Sequence, residues 1–410
     1  MGKDMARIES ALVIGAGIAG PVTALALRKA GVEVTVFEAY PTAADDVGGV
    51  LTLAPNGLAA LGLVGVGDAL AAVGQPMPHM VFEDGRGRRI GKVSGLPGLP
   101  PSLTLWRKDL FGVLRDQVAA AGVRVEYGKR LTGVQETPDG VIARFADGST
   151  AHGGVLIGAD GIRSTVRELI DPAAPGPEYT GLLGFGVSGR VRVAGAGAGG
   201  GVGAWVGGDP GTMHFAFGKR AFFGYWTRPD GTVALFSNLP NEQPMTLAEV
   251  RRAPADSWLR LLREAHAGDI PAEAILDQTS PEDLMLAGPL EMMPPVPRWY
   301  RGRVVLTGDA VHAPSSSSGQ GASLSIESAI ELARCLRDIP DPRAAFAAYE
   351  SLRRPRVEKI AANAKKTNNN KAAGPVAKRV LSLVAPIALK TFLTPEKMFG
   401  PIHRYQIQWD

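Results

Sequence analysis

Three glycines and an acid stand first among the residues whose spacing could do chemistry. Gly15, Gly17 and Gly20 form a GxGxxG directly after the apolar run Ala11–Ile14, and Glu38 ends a second apolar run that begins at Val32. In a strand–turn–helix–strand unit this pattern holds a dinucleotide. The first glycine permits the tight turn, the second lets a pyrophosphate approach the backbone, and the third lets helix and strand pack closely. Ile18 and Ala19 then open a helix whose unpaired N–H groups and positive dipole end attract phosphate. An acid at position 38 accepts hydrogen bonds from a ribose with a free 2′-OH, so the nucleotide expected here is FAD or NAD and not NADP.

A second concentration runs from Gly308 to Gly321, GDAVHAPSSSSGQG, between the strand-like Arg303–Leu306 and a helical pattern from about Ala322 to Arg337. Apolar residues at Ile326, Ala329, Ile330, Ala333 and Leu336 mark that helix's buried face. Gly319-Gln320-Gly321 just before it can expose successive backbone N–H groups. His312 is expected to order the loop by hydrogen bonding, since no carboxylate partner of the triad type is apparent. The remaining histidines lack metal-ligand spacing, so no metal is expected. Cys335 is expected in the core and not as a nucleophile. Gly195–Gly203 also contains GxG patterns, but Trp205 to Pro210 after it cannot form a helix, which favours a loop over a second dinucleotide site.

These residues need elements to position them. The chain has 410 residues, 45% apolar and 20% charged, which excludes a disordered, collagen-like or disulfide-stapled protein. Its length predicts two domains or one large elaborated one. A lone cysteine cannot form an internal disulfide or a cysteine-based metal site, and points to a reducing cytoplasm. Glycines interrupt the apolar stretch Ala11–Leu27, against a signal peptide, and no apolar run reaches the roughly 18 residues of a membrane span. The net charge of +4 is uneven: residues 351–410 carry twelve Lys and Arg against Glu358, Glu396 and Asp410, leaving −5 for residues 1–350. Without interleaved aromatics that basic segment reads as a solvated helix face, and no nucleic-acid partner is expected.

The pattern predicts an α/β Rossmann-like nucleotide-binding domain of residues 1–75, 102–178 and 295–365, interrupted by a second, largely antiparallel β domain of residues 76–101 and 179–294. A hairpin is expected around Asp84-Gly85-Arg86-Gly87, and Pro355 is expected to kink or break the helix that starts at Asp341-Pro342. Residues 366–410 read as a C-terminal helical appendage without stable membrane insertion.

GAGIAG at Gly15–Gly20, GADGIRSTVR at Gly158–Arg167 and GDAVHAPSSSSGQG at Gly308–Gly321, in this order and spacing, resemble the group A flavin-dependent monooxygenases. This is the p-hydroxybenzoate hydroxylase-like family, here in its short form without a thioredoxin-like third domain. The resemblance covers about residues 8–365. It implies that the first glycine motif and Glu38 hold the ADP part of FAD, that Gly49 and Val50 run beside the flavin ring, and that Arg107 contacts FAD. It further implies that Asp160-Gly161 serves both FAD and NAD(P)H, that Arg163 and Arg167 meet the phosphates of NAD(P)H, and that Asp309, after Gly308, hydrogen-bonds the ribityl chain. The helix after Gly319, Gly321 and Ala322 would then stabilise the anionic reduced flavin. Two departures stand out: Ala39 where many members have arginine, and Ser315-Ser316 where many have paired prolines.

The implied reaction uses NAD(P)H and O2 to hydroxylate an aromatic or polycyclic molecule through a C4a-hydroperoxyflavin. No essential catalytic side chain is expected, only an apolar pocket lined by Phe185, His214, Phe215, Phe217, Tyr225 and Trp226. Reduction or epoxidation of an isoprenoid or alkene, and a flavin-free NAD-dependent dehydrogenase, remain as alternatives. The halogenase WxWxIP pattern is absent.

Overall fold

The computed structural model describes residues 8–43, 49–191, 209–371 and 394–410. Gly195–Gly203, Trp205 and Leu381–Leu393 lie outside them. The apolar runs read as buried strands assemble into one six-stranded sheet in the order Tyr300–Arg301, Val304–Leu306, Val155–Gly158, Ser10–Ile14, Glu33–Phe37, Arg124–Glu126. All neighbours are parallel except the Tyr300–Arg301 edge. Strands so placed are covered on both faces, which is why Val155–Gly158 and most of Ser10–Ile14 are apolar without alternation. The helix Ala19–Lys29 ends at Gly31, where φ is +82°, and packs against the helix Gly321–Asp338. Cys335 is buried in the core they share. Leu131–Glu136, Val141–Phe145 and Thr150–Gly153 form a separate antiparallel three-stranded sheet.

A seven-stranded sheet lies in the order Leu284–Met292, Glu178–Val191, Val233–Pro240, Phe222–Thr227, Thr212–Phe217, His79–Asp84, Arg89–Ser94. The expected hairpin forms its edge, with Gly87 at φ +71° in the turn. Three helices, Leu247–Arg252, Ala255–Ala265 and Ala272–Asp277, cover one face. Trp258, Leu259, Leu262 and Ile275 pack there against Leu183, Phe223 and Leu235. The other face carries Met213, Trp226 and Ala234, which pack with Met77 and Val50.

The helix Pro342–Lys371 runs through Pro355, contrary to the expected break, and continues past residue 365. Asp341 caps its start by accepting from the Ala344 N–H at 3.0 Å. An interior proline costs about 3 kcal/mol. Tertiary anchors on both sides of it offset that cost: Arg353 and Arg356 both bind Glu327, Arg354 binds Glu350 and Glu358, and Tyr349, Val357 and Ile360 are buried.

Candidate active site

The three glycines divide their work as their surroundings dictate. Gly15 has φ +104°, donates its N–H to the Phe37 carbonyl at 2.7 Å, and would place a Cβ 2.5 Å from the Ala159 oxygen. A Cβ on Gly20 would overlap the Gly15 carbonyl, whereas one on Gly17 would meet nothing within 4 Å. Gly17, Ile18 and Ala19 face an open cleft; Gly15 and Gly20 sit behind it. The helix after them has no side-chain cap and no acid in its first turn, so its first N–H groups remain available to an anion. Glu38 accepts from the Ala16 N–H at 2.8 Å and the Tyr40 N–H at 2.9 Å, which fixes its carboxylate beside the turn.

The cleft continues past Gly49 and Val50 to Arg107 and Asp309. Pairing of Val50–Leu53 with Ser102–Trp106 brings the Arg107 N–H to the Gly49 carbonyl at 3.0 Å, so two segments distant in sequence meet here. Gly308, at φ +62°, turns the chain so that Asp309 enters the cleft while Gly308 itself packs under Ala19. Burial pushes the Asp309 carboxyl above its ordinary pKa; the Arg107 charge and a 3.3 Å hydrogen bond from Ser325 oppose this. Gly319, Gln320, Gly321 and Ala322 complete this wall, with Gly319 in the left-handed region and no side chain capping the helix that follows. The groups present fit a flavin dinucleotide: an uncapped helix end for pyrophosphate, an open glycine, a buried acid for hydroxyls, and a second uncapped helix end for ring oxygens.

Four placements need correction. Arg167 cannot meet a nicotinamide phosphate: it is 2% exposed, and its guanidinium donates to the carbonyls of Ala310 and Ile162 at 2.9 Å each. Arg163 is exposed outside the cleft, and its Nη2 donates to both carboxylate oxygens of Glu291 at 2.7 and 2.8 Å. Asp160 uses its carboxylate locally, accepting from the Ser164 hydroxyl and the Val166 N–H, and only its neighbours Ala159 and Gly161 border the cleft. The fourth correction concerns strand parity. Phe215, Phe217 and Trp226 line the cavity, but His214 and Tyr225 point to the opposite face. There both bind the buried Glu83 at 2.8 Å, and burial next to that carboxylate raises the Tyr225 pKa strongly. Phe185 borders the cavity, yet its ring packs on Trp258, centroids 5.3 Å apart, in the core behind the sheet.

The cavity extends from the cleft over the sheet's open face and measures about 2290 Å³. Phe82, Phe215, Phe217, Phe222, Trp226 and Phe236 line it. A pocket for one small ligand measures about 300–1,000 Å³, so this volume has room for a cofactor and a second molecule together. Part of its wall was not anticipated: Met398, Phe399, Ile402 and His403 of the helix Pro395–His403, with Ile360 and Ala364 of the long helix. The signal was present in Thr394-Pro395-Glu396, an N-cap followed by proline and acid, ahead of apolar residues one turn apart. His403 is 9% exposed, and burial with the nearby Arg356 charge depresses its pKa to about 4, so it is neutral at pH 7. His312 makes the expected ordering contact, to the Ser328 hydroxyl at 2.8 Å, and burial lowers its pKa to about 3.

A family model described as "FAD binding domain" matches residues 9–364. The chain belongs to the group A flavin-dependent monooxygenases. It is 31% identical over 363 residues to an FAD-dependent urate hydroxylase of Klebsiella pneumoniae, covering 87% of this chain and 88% of that protein. It is 30% identical over 351 residues to the aurachin C monooxygenase/isomerase of Stigmatella aurantiaca, covering 83% and 84%. A crystal structure of a Klebsiella pneumoniae HpxO variant complexed with FAD superposes with a TM-score of 0.79 at 25% identity, covering 96% of this chain and 97% of that one. This group A member is therefore an FAD-dependent monooxygenase. Among the described residues no helix is long and apolar enough to cross a membrane.

Proposed function

We propose that the protein hydroxylates an electron-rich aromatic small molecule in a reducing cytoplasm, with NAD(P)H as reductant and O2 as oxidant. The observation that carries this is the single cavity joining the cofactor cleft to an aromatic-lined sheet face. FAD supplies the redox chemistry and the activation of oxygen. In this reading Gly17–Ala19 bind the pyrophosphate, Glu38 orients the adenosine end, Asp309 and Arg107 hold the central chain, and the helix at Gly321 offers N–H groups to the ring oxygens. The six aromatic side chains would keep water from the reacting centre and pack against the substrate ring. In this reading residues 76–101 and 179–294 are the substrate-binding unit.

Supplying NADH or NADPH with a panel of phenols, polycyclic phenols and urate under labelled oxygen should give product carrying one atom from O2, and hydrogen peroxide when no substrate is bound. Label found only in water, or turnover undiminished without oxygen, would replace hydroxylation by reduction.

Asp309→Ala is expected to fold, because removing a buried carboxyl takes one hydrogen bond from Ser325 and an opposing charge from Arg107, which also borders the cleft, and to lose most of its flavin during gel filtration. Full retention of the yellow band would remove Asp309 from the cofactor site.

A further inference from the structure

The register of two neighbouring strands sets the direction of the cavity. His79–Asp84 and Thr212–Phe217 run parallel, from Thr212 opposite His79 to Phe217 opposite Asp84. At their start Met80 and Met213 pack with Val50, beside the cofactor cleft. Four residues on, at about 3.3 Å each, the cavity has travelled about 13 Å past Phe82, Phe215 and Phe217. Beyond that point the lining changes from aromatic to cationic. The turns contribute Arg86, Arg88, Lys219 and Arg220, and the helix Leu247–Arg252 contributes Arg251.

Arginines outnumber acids in the lining there, and two of them, Arg88 and Arg220, are held in place. Asp84 is the one acid in the lining at this end among the described residues, and it is occupied by the Arg88 side chain at 3.1 Å and by the N–H groups of Arg86 and Arg88. Arg220 is fixed by the carbonyls of Glu264, Ala265 and Ala267, which orient its charge without neutralising it. Both turns rest on Asp269, whose side chain is fully buried. It accepts from the Lys219 N–H at 3.2 Å, meets His266 at 3.2 Å, and lies so close to Gly85 and Gly218 that a Cβ on either would overlap it. His266 in turn meets the Ser237 hydroxyl at 2.8 Å. A cationic end on rigid turns is prepared for an anion.

We propose that this end is an anion-recognition subsite, and that the substrate is an elongated aromatic molecule whose carboxylate or other anionic group lies remote from the ring being oxidised. The proposal rests on the function proposed above, but its test does not require turnover.

The test is calorimetry on the FAD-loaded full chain with two probes of one ring framework, 8-anilinonaphthalene-1-sulfonate and the uncharged N-phenyl-1-naphthylamine. The sulfonate is expected to bind about tenfold more tightly at low ionic strength, with the gap closing as salt is raised, because exposed charges are screened within a Debye length. Arg86→Glu combined with Arg251→Glu should abolish the gap while the neutral probe binds as before and the flavin spectrum is unchanged. Equal affinities in the parent protein, or a gap that survives the double substitution, would overturn the subsite. So would a double variant that needs more NAD(P)H for half-maximal flavin reduction yet keeps its preference for the sulfonate, since the cationic end would then serve the nicotinamide phosphates. Failure of the oxygenation panel with the probe gap intact would count against the proposed function alone.

Discussion

Gly17→Val is expected to give a folded, colourless protein, with FAD affinity reduced by about 100-fold, or about 2.7 kcal/mol. A Cβ at residue 17 would meet no protein atom within 4 Å and would lie at the open cleft, so the branched side chain would occupy the space through which a pyrophosphate would approach. Gly20→Val is the contrasting case. Its Cβ would overlap the Gly15 carbonyl, so strand and helix must separate, and overpacking of this kind costs about 1–3 kcal/mol or more. Flavin absorbance and thermal unfolding, measured on both variants, should therefore separate cleanly: binding lost with stability kept at position 17, stability lost at position 20. A Gly17→Val protein that remains yellow would show that the cofactor does not pass over this turn.

Glu327→Ala is expected to lower unfolding stability by about 3–5 kcal/mol, the range for removing one partner of a buried ion pair. Glu327 is fully buried and meets Arg353 at 2.7 Å, Arg356 at 2.8 Å and the Asn56 amide at 2.6 Å. Burial alone would raise its pKa, yet the two guanidiniums hold it below the ordinary value, so it is ionised at neutral pH. Deleting it strands the Arg353 charge, whose side chain is also fully buried. Arg356 additionally donates to the carbonyls of Pro401 and Ile402, so the loss should loosen the wall that bears His403. Urea unfolding of the variant measures the first effect. An increase in peroxide formed per NAD(P)H oxidised measures the second, and a variant as stable as the parent would show that the arginines find other partners.

The sequence was most legible where the physics is local. The strand, turn, helix and strand around Gly15–Glu38 lie within about thirty residues, and each residue type reports its own backbone requirement. The same holds for the Asp84–Gly87 hairpin and for the helix N-terminus at Gly321. Strand parity was not readable. Met213, Phe215 and Phe217 alternate with Thr212, His214 and Ala216, the next strand offers aromatics on both faces, and only the three covering helices decide which set meets them. Arg167 was misplaced for a related reason. An arginine in a glycine-containing motif suggests phosphate, but here the carbonyl of Ile162 in its own motif and that of Ala310 from a distant segment enclose it. The helix that bears Met398–His403 has a local signal in Thr394-Pro395-Glu396, but its docking depends on contacts from Arg356 of a distant helix, which no local pattern encodes.

The fully buried strand Val155–Gly158 has a consequence for how the chain is made. Its neighbour on one side, Ser10–Ile14, is synthesised well before it, but its neighbour on the other, Val304–Leu306, comes about 150 residues later. At roughly 5–20 residues per second that interval lasts on the order of seven to thirty seconds, during which the strand's outer edge has no partner. Most of the seven-stranded sheet is made in that interval. The nascent chain thus passes through a long-lived stage with an adhesive open edge, so its yield in a cell should depend on what shields that edge, such as a holding chaperone, and on how soon synthesis closes it, as well as on the stability of the finished fold.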